Sequence, residues 1–269
     1  MTKTIAGMIG LGSMGYQMAR HMVAKGFDVY GIDVQESCNA RAKAAGIHIV
    51  GTLADVGDHA QIVVIMVATD AQVEDVIVKS GLLDRLTKGS VICVASSCSV
   101  DTAQSLEKIG AAKGIGILDT PVVLGQEAAD NGTLTVFCGG SAEAYEKAMP
   151  AMQAFGSNVL HVGKAGMGQL TKTVNNMLLW ACMSANYEAL TFAKAMGADI
   201  PKMIAALQHS SGVNWSLSRW GKSTGKWAEK DMDVALELAQ DAKIAVPLAA
   251  LVDQLMKGMN QDKMKALLT

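Results

Sequence analysis

The chain is short of aromatic, proline and charged residues. Of its 269 residues, 4% are aromatic, 18% are charged and four are proline, while half are hydrophobic. A chain this hydrophobic and this weakly charged can fold around a core, which excludes an intrinsically disordered protein. The formal net charge is only −2, so no basic surplus points to nucleic acid or to an anionic lipid surface as a partner.

Cysteines are few and irregularly spaced. The chain has five, which form no Cys-x-x-Cys pair: Cys38, Cys93, Cys98, Cys138 and Cys182. An odd number without such pairs argues against a disulfide framework and against a structural zinc site. The histidines are scattered without metal-ligand spacing, so we expect no bound metal. These absences fit a reducing compartment, and we expect the cytoplasm.

Long hydrophobic runs are also missing. The run at residues 62–68 is far below the roughly 20 residues that a membrane-spanning helix needs, so we expect no membrane span. Glycine, by contrast, is abundant, with 27 residues in the chain. A typical share is about 7%. A glycine-rich, proline-poor chain suits an α/β fold whose tight turns approach a ligand.

Short apolar segments alternate with amphipathic ones over the first 163 residues. Segments rich in Val and Ile predict buried strands at residues 4–9, 27–32, 62–67, 91–95, 115–118, 134–138 and 159–162. Amphipathic stretches predict helices at residues 14–25, 71–79, 101–112 and 142–154. This alternation predicts an α/β fold with a doubly wound, mostly parallel sheet covered on both faces.

The pattern changes after residue 163. Residues 163–168 are glycine-rich and predict a turn, and residues 169–196 then contain neither Pro nor Gly, which predicts one long helix. Further helices are expected at 201–209, 230–243 and 248–259, without another strand signal. We therefore expect two domains: an α/β domain over residues 1–163, and an all-helical domain over residues 164–269.

A Gly-x-Gly-x-x-Gly motif closes the first predicted strand and opens the first helix. It comprises Gly10, Leu11, Gly12, Ser13, Met14 and Gly15. In a dinucleotide site the first glycine permits the tight turn, the second lets the backbone approach a pyrophosphate, and the third allows close helix packing. The helix start adds free N–H groups and a positive dipole end. The strand–turn–helix context favours a dinucleotide site over a ligand-free turn.

Asp33 ends the second predicted strand, 18 residues after Gly15. A carboxylate there can accept hydrogen bonds from the adenosine ribose hydroxyls and repels a 2′-phosphate. The residues that follow, Val34 and Gln35, provide no cation for that phosphate. The pattern therefore favours NAD over NADP as cofactor, although an acid at a strand end can also simply be solvated.

Four segments together resemble one enzyme family. They are Gly-Leu-Gly-Ser-Met-Gly at 10–15, Asp-Thr-Pro-Val and the residues after it at 119–134, Gly-x-Gly-x-x-x-Lys-x-x-Asn-Asn at 166–176, and Lys-Asp-Met at 230–232. In this order they resemble the β-hydroxyacid dehydrogenases, typified by 3-hydroxyisobutyrate dehydrogenase. The resemblance implies a Rossmann domain, a long connecting helix and a helical second domain. It also implies interconversion of an alcohol and a carbonyl with a nicotinamide cofactor, in a homodimer or homotetramer.

The resemblance makes Lys172 the general acid/base. A lysine in a partly desolvated cleft can exchange a proton near neutral pH, which agrees with that role. Asn175 and Asn176 follow at i+3 and i+4, so both can share its helix face and orient it without adding charge. Outside this context, a solvent-facing lysine with two surface asparagines would be the simpler interpretation.

Other residues take their expected roles from the same resemblance. Ser96 corresponds to a hydroxyl residue close to the nicotinamide, and Val67 and Ala68 correspond to neighbours over the cofactor. Lys230 corresponds to a lysine that reaches towards cofactor and substrate. Small polar residues after strands are common in turns, and Lys230 can also be an exposed charge near a helix start.

The sequence departs from the family pattern in two places. The family follows Asp-x-Pro-Val with Ser-Gly-Gly, which holds the substrate carboxylate, whereas this chain has Val123, Leu124 and Gly125. A larger and less polar substrate, or an acid held by groups such as Gln126, are the alternatives. The second departure is a shortened segment at 210–229, which holds three of the four tryptophans. These can line a pocket, meet a partner subunit or fill the core.

The sequence as a whole predicts an NAD(P)-dependent dehydrogenase or reductase acting on a CH–OH group of a small molecule. Two alternatives stay open. An imine reductase shares this fold and takes bulky apolar substrates, although the retained Lys172 argues against it. A non-catalytic nucleotide-binding sensor is the other.

Overall fold

The computed structural model describes residues 4–222 and 225–269, and the chain forms two compact units that divide between Lys172 and Thr173. In the described residues of the first unit, nine strands form one sheet. They are β1 Ile5–Ile9, β2 Asp28–Ile32, β3 His48–Ile49, β4 Ile62–Ile65, β5 Val91–Val94, β6 Gly116–Asp119, β7 Val122–Val123, β8 Leu134–Gly139 and β9 Gly156–Gly163.

The strand order confirms a Rossmann-type, doubly wound sheet. From one edge it runs β3-β2-β1-β4-β5-β6-β8-β7, with β9 also paired to β8. The pairs from β3 to β6 and the β8–β9 pair are parallel, while β8 is antiparallel to β6 and β7. The sheet is therefore mostly parallel, as expected, and the order reverses between β1 and β4. Ligands of such sheets bind at the carboxyl ends of the strands near that reversal.

Helices connect the strands and cover both faces of the sheet. In the first unit they are α1 Ser13–Ala24, α2 Glu36–Ala44, α3 Asp55–His59, α4 Asp70–Glu74, α5 Leu82–Arg85, α6 Val100–Ala112, α7 Gly125–Asn131 and α8 Ala142–Met152. A π-helical turn, Asp75–Lys79, continues α4. Helix α9, Met167–Ala195, begins in the first unit and extends into the second.

The apolar strands are buried from both sides, which explains their continuous Val and Ile runs. On β4, Val64 belongs to a core cluster with residues of α1 and α8, while its neighbours Val63 and Ile65 belong to a second cluster with residues of α6. Successive side chains of a strand point to opposite faces, so every position of a central strand meets a helical layer.

The second unit is helical, as expected. After α9 it contains α10 Ile200–Leu207, α11 Trp215–Ser218, α12 Ala228–Asp241, α13 Pro247–Lys257 and α14 Gln261–Ala266. Its core includes Trp180, Met183, Leu190 and Trp220. The indole of Trp220 donates to the carbonyl of Met264 at 3.1 Å, whereas Trp215 and Trp227 are about half exposed. The tryptophan cluster of segment 210–229 therefore fills the core only in part; residues 223 and 224 of that segment lie outside the described residues.

Some elements were not predicted from the sequence. The strands β3 and β7 contain two residues each, and α3, α5 and α11 contain four or five. Elements this short carry too few positions for a periodic pattern. Helix α2 has almost no amphipathic pattern, and α7 lies inside the segment interpreted as a substrate loop. None of the helices in the described ranges is both long and apolar enough to cross a membrane.

Candidate active site

The glycine motif forms the turn between β1 and α1. Gly10 has φ +89°, and a Cβ on it would collide with the carbonyl oxygen of Met66 on the neighbouring strand end. A Cβ on Gly15 would collide with the carbonyl oxygen of Gly10. A Cβ on Gly12 would meet no atom within 4 Å. Packing therefore accounts for the first and third glycines, while the second faces open space.

That open space lies at the start of α1. Gly12 is the N-cap of the helix and supplies no side-chain cap, and the first turn contains no acidic residue. Leu11 is buried, Ser13 is exposed and Met14 is half-buried, so the loop is anchored on one side and open on the other. An uncapped helix start with room above its second glycine fits a phosphate group, because the N–H groups and the dipole both favour an anion.

Asp33 lies beside the glycine loop and fixes its shape. Its Oδ2 accepts a hydrogen bond from the Leu11 N–H at 2.6 Å, and its Oδ1 accepts one from the Gln35 N–H at 2.8 Å. The Asn39 side chain holds the backbone of Asp33 from both sides, accepting from its N–H and donating to its carbonyl. The carboxylate is thus oriented at the end of β2, as the ribose role requires.

The ends of β4 and β5 are tied together by Ser96. Its hydroxyl oxygen accepts from the Val67 N–H at 2.7 Å, and the Ser96 side chain is completely buried. The Ala68 N–H donates to Gln72 Oε1 at 2.9 Å. The structure therefore brings Ser96, Val67 and Ala68 to one edge of the sheet, but gives the Ser96 hydroxyl a backbone partner instead of an open position.

A buried carboxylate, Asp119, fixes the start of α9. Its Oδ1 accepts from the Gly166 N–H and its Oδ2 from the Gln169 N–H, both at 2.8 Å. The side chain of Gln169 in turn donates to the Ser96 carbonyl at 2.8 Å. Burial raises the pKa of the Asp119 carboxyl, and the backbone N–H groups of Gly166 and Gln169 act in the opposite direction. This network joins the ends of β5 and β6 to the first turn of α9.

Lys172 lies one turn further along α9. Its Nζ donates a hydrogen bond to the hydroxyl oxygen of Ser97 at 2.6 Å. Ser97 comes three residues after Val94, the last residue of β5, and, unlike Ser96, is only half-buried. The lysine is thus held at the carboxyl ends of the strands, on the same edge as the glycine loop. A lysine and a hydroxyl in contact can pass a proton to an oxygen of a bound molecule.

The substrate-loop residues adopt an unusual backbone. Leu124 has φ +82°, a left-handed conformation that costs a residue other than glycine about 1–2 kcal/mol. Gly125 follows with φ +73°, and Val123 pairs with Thr135 in the short strand β7. Gln126 donates from Nε2 to the Ser13 carbonyl at 3.2 Å and to Asp130 Oδ1 at 2.8 Å. The loop is therefore tied to the glycine motif. Its two apolar side chains are half-buried, and that of Leu124 packs against the core cluster that contains Val64.

The remaining expected site residues belong to the second unit. Asn175 donates from Nδ2 to Asn176 Oδ1 at 3.0 Å, and Asn176 is buried. Lys230 is exposed in the first turn of α12, next to Asp231. The indole N–H of Trp180 on α9 donates to Asp231 Oδ2 at 3.0 Å, which fixes the start of α12 against α9. The roles assigned to these residues stay predictions.

Sequence reasoning did not identify three of the residues that build the site, namely Ser97, Asp119 and Gln169. Ser97 adjoins a predicted residue, and the other two fall inside motifs that were recognised without a role for them. Among the described residues, no cluster of three His, Cys, Asp or Glu side chains could hold a metal ion.

Comparison with known proteins identifies relatives along nearly the whole chain. The family model for the NAD binding domain of 6-phosphogluconate dehydrogenase matches residues 5–163, and that for the NAD-binding of NADP-dependent 3-hydroxyisobutyrate dehydrogenase matches residues 166–267. The 2-(hydroxymethyl)glutarate dehydrogenase of Eubacterium barkeri is 31% identical over 96% of this chain and 90% of its own. The 3-hydroxyisobutyrate dehydrogenase of Pseudomonas aeruginosa is 30% identical over 92% of this chain and 89% of its own.

A solved structure agrees in fold. The 3-hydroxyisobutyrate dehydrogenase of Mycobacterium tuberculosis, described with L-serine, superposes with a TM-score of 0.88. It covers 100% of this chain and 98% of its own, at 23% sequence identity.

Proposed function

This chain belongs to the β-hydroxyacid dehydrogenase family, and from that premise we propose that Lys172 exchanges the proton while hydride passes between NAD(H) and a small hydroxy acid. The family membership makes the protein an oxidoreductase that acts on a CH–OH group of a small molecule with NAD as cofactor. The observation that supports the role of Lys172 is its contact with Ser97 at the carboxyl ends of the strands.

The cofactor is proposed to lie along the glycine loop. Its pyrophosphate would take the open space above Gly12, next to the first turn of α1. Asp33 would accept the adenosine ribose hydroxyls, which favours NAD over NADP. Gly10, Leu11, Ser13, Met14 and Gly15 shape this cradle, and Val67, Ala68 and Ser96 bound it at the ends of β4 and β5. When bound, the nicotinamide accepts or supplies the hydride.

The protein's own part in the reaction is to move a proton. In the direction of reduction, the ammonium of Lys172 gives a proton to the carbonyl oxygen of the substrate and becomes a neutral amine. In the direction of oxidation, the neutral amine takes the proton of the substrate hydroxyl. Ser97 can serve both states, because its hydroxyl oxygen accepts from the ammonium and its O–H can donate to the amine.

Asn175 and Asn176 are proposed to orient the proton transfer. They follow Lys172 at i+3 and i+4 on α9, and their side-chain amides bond to each other, which fixes both orientations. Lys230 is proposed to contribute a charge towards the cofactor. Its neighbour Asp231 is held by Trp180, so the start of α12 is a rigid support for that lysine.

The substrate is proposed to carry an apolar group against Val123 and Leu124, next to Gly125. The serine hydroxyl with which relatives of this family grip a carboxylate is absent from this loop. Leu124 keeps a left-handed backbone that a glycine would adopt without strain. The Leu124 side chain packs partly on the core cluster, and its remaining exposed surface would contact the apolar group of the substrate.

The domain roles and the assembly complete the proposal. Residues up to 163 would bind the dinucleotide, and those from 164 would contribute to the substrate site and to dimerisation. Exposed apolar side chains recur along α9, directly after it and along α13, and suit a homodimer or homotetramer: Leu178, Phe192, Met196, Leu248, Leu251 and Leu255. The five cysteines are free thiols, which agrees with a cytoplasmic location.

The test is a scan of NADH oxidation at fixed enzyme concentration over small aldehydes, over 2-methyl and aryl β-carbonyl compounds, and over sulfonated analogues. We expect turnover of at least one β-carbonyl compound, and its loss in Lys172→Ala. NADH binding without turnover of any compound would contradict the proposed function. Cyclic imines added to the same scan would then separate an imine reductase from a nucleotide sensor.

A further inference from the structure

Arg41, in the last turn of α2, reaches the glycine loop. Its Nη2 donates to the Leu11 carbonyl at 2.8 Å and to the Gly12 carbonyl at 3.3 Å. The guanidinium carbon lies 4.2 Å from the centre of the Tyr16 ring. All three partners are neutral, so these contacts fix the position of the guanidinium without cancelling its charge.

Arg41 and Asp33 bind the same loop residue from two sides. The Leu11 N–H donates to Asp33 Oδ2 at 2.6 Å, while the Leu11 carbonyl accepts from Arg41 Nη2. A single residue's backbone therefore separates a carboxylate from a guanidinium. In the proposed cofactor site, Asp33 lies at the adenosine ribose, so Arg41 places a permanent positive charge within a few ångströms of that ribose.

We propose that Arg41 is the cation of a second cofactor site, one that binds the 2′-phosphate of NADP and whose affinity the carboxylate of Asp33 lowers. The inference rests on the proposed function, because it uses the same ribose position. Guanidinium groups match phosphate oxygens with two parallel N–H bonds, and an arginine stacked on an aromatic ring presents its N–H edge in a fixed plane. Tyr16 supplies that ring.

Arg41 also affects the choice between NAD and NADP. Positions 34 and 35, directly after β2, carry Val34 and Gln35, neither of which is a cation. These two positions therefore provide no side chain that binds a 2′-phosphate. Arg41 supplies one from the end of α2, so removal of the Asp33 charge alone opens the chain to NADP without an added arginine.

The experiment compares four proteins: the wild type, Asp33→Asn, Arg41→Met and the double variant. Methionine keeps much of the apolar stem of the arginine and removes the guanidinium. NADH and NADPH fluorescence titrations measure cofactor binding. Two smaller probes are titrated as well: 2′,5′-ADP, which carries the 2′-phosphate without the pyrophosphate, and 5′-ADP, which carries the pyrophosphate without the 2′-phosphate. Lys43→Met is the matched control, because Lys43 is an exposed cation on the same turn of α2. Thermal melting confirms that each variant is folded.

We expect Asp33→Asn to bind NADPH and 2′,5′-ADP about tenfold more tightly than the wild type, the size of one charge-assisted hydrogen bond. Arg41→Met should remove that gain in the double variant, and Lys43→Met should not. In the wild-type background, Arg41→Met should weaken the binding of 2′,5′-ADP and leave the binding of 5′-ADP unchanged. This comparison does not depend on whether Asp33→Asn folds.

Two results would overturn the inference. One is a double variant that gains as much NADPH affinity as Asp33→Asn alone. The other is an Arg41→Met protein that binds 5′-ADP and 2′,5′-ADP equally less tightly, which would place Arg41 at the adenosine or its 5′-phosphate, the groups that both probes share. Failure of the proposed function is a different outcome, namely a wild type that binds neither NADH nor NADPH.

Discussion

Lys172 and Ser97 are joined by a 2.6 Å hydrogen bond, from the lysine Nζ to the serine hydroxyl oxygen, across 75 residues of sequence. The bond connects the second turn of α9 to the end of β5. It holds the lysine at the edge of the sheet where the glycine loop also lies, and the account of the proton transfer depends on this placement.

Ser97 is expected to act as a positioning residue for the lysine. In Ser97→Ala we expect kcat to fall about tenfold, the value of a hydrogen bond to a charged group, with little change in the KM for NADH. Ser97→Thr keeps the hydroxyl and should recover most of the rate. Steady-state kinetics over pH 5–10 also test the role, because the alkaline limb of kcat should move in the alanine variant. Ser157→Ala, with an exposed hydroxyl on β9, is the control. An unchanged rate and pH profile in Ser97→Ala would exclude the role.

Gly12 and Gly15 should respond oppositely to alanine. Gly12 has φ −62° and open space at its Cβ, so Gly12→Ala should fold with an unfolding free energy within about 0.5 kcal/mol of the wild type. It should bind NADH at least about tenfold more weakly, because the methyl group enters the pyrophosphate cradle. Gly15→Ala should lose about 1–3 kcal/mol of stability, because its Cβ collides with the Gly10 carbonyl. Urea unfolding and NADH titration measure both. Normal NADH binding by Gly12→Ala would contradict the cofactor placement.

Asp119 is expected to make the stability of the protein depend on pH. Burial raises the pKa of its carboxyl in the folded state above the usual value of 3.8. As the pH rises above 3.8, the folded state therefore keeps the proton that the unfolded state loses, and the free energy of unfolding falls until the folded carboxyl has lost its proton too. Asn at position 119 does not titrate. The stability advantage of the wild type over Asp119→Asn should thus be fully present below pH 3.8 and should decrease as the pH rises above that value.

Urea unfolding at a series of pH values measures that difference. Asp75→Asn, which removes an exposed carboxylate on the π-helical turn, is the matched control. An advantage that grows as the pH rises would mean that the hydrogen bonds from Gly166 and Gln169 outweigh the burial of the charge.

The loop at Val123 and Leu124 is expected to determine the substrate. The combined change Val123→Ser with Leu124→Gly restores a hydroxyl and relieves the left-handed strain at position 124. We expect kcat/KM for small unbranched β-hydroxy acids to rise about tenfold, a gain of one hydrogen bond to a carboxylate, and that for bulky apolar substrates to fall. In Leu124→Gly alone, kcat/KM for the apolar substrates should fall, and kcat/KM for the small β-hydroxy acids should not rise. Unchanged relative rates across the substrates would exclude the loop from the site.

The fold was predictable from the sequence where a pattern spans many residues. Continuous Val and Ile runs such as Ile62–Ile65 identify the central strands, and the glycine motif places the turn between β1 and α1. Long-range side-chain contacts were not predictable in this way. Asp119 bonds to groups 47 and 50 residues away, and nothing local to Asp119 indicates those partners.

The two serines after β5 illustrate the same limit at short range. Both follow Ala95 at the end of the strand, and consecutive side chains at a strand end point in different directions. The resemblance pointed to Ser96, whose hydroxyl is buried against Val67, while its neighbour Ser97 meets the lysine. Only the course of the backbone at this strand end distinguishes the two.

The central claim is that Lys172 carries the proton, and chemical rescue tests it most directly. Lys172→Ala is assayed for NADH oxidation with the preferred carbonyl substrate, with NADH binding measured on the same sample, in the presence and absence of small primary amines. We predict that the variant binds NADH normally, loses about 10²–10⁴-fold in kcat, and recovers part of that rate in proportion to the alkylammonium concentration. A variant that retains the wild-type rate, or one whose lost rate no amine restores while NADH still binds, would contradict the account.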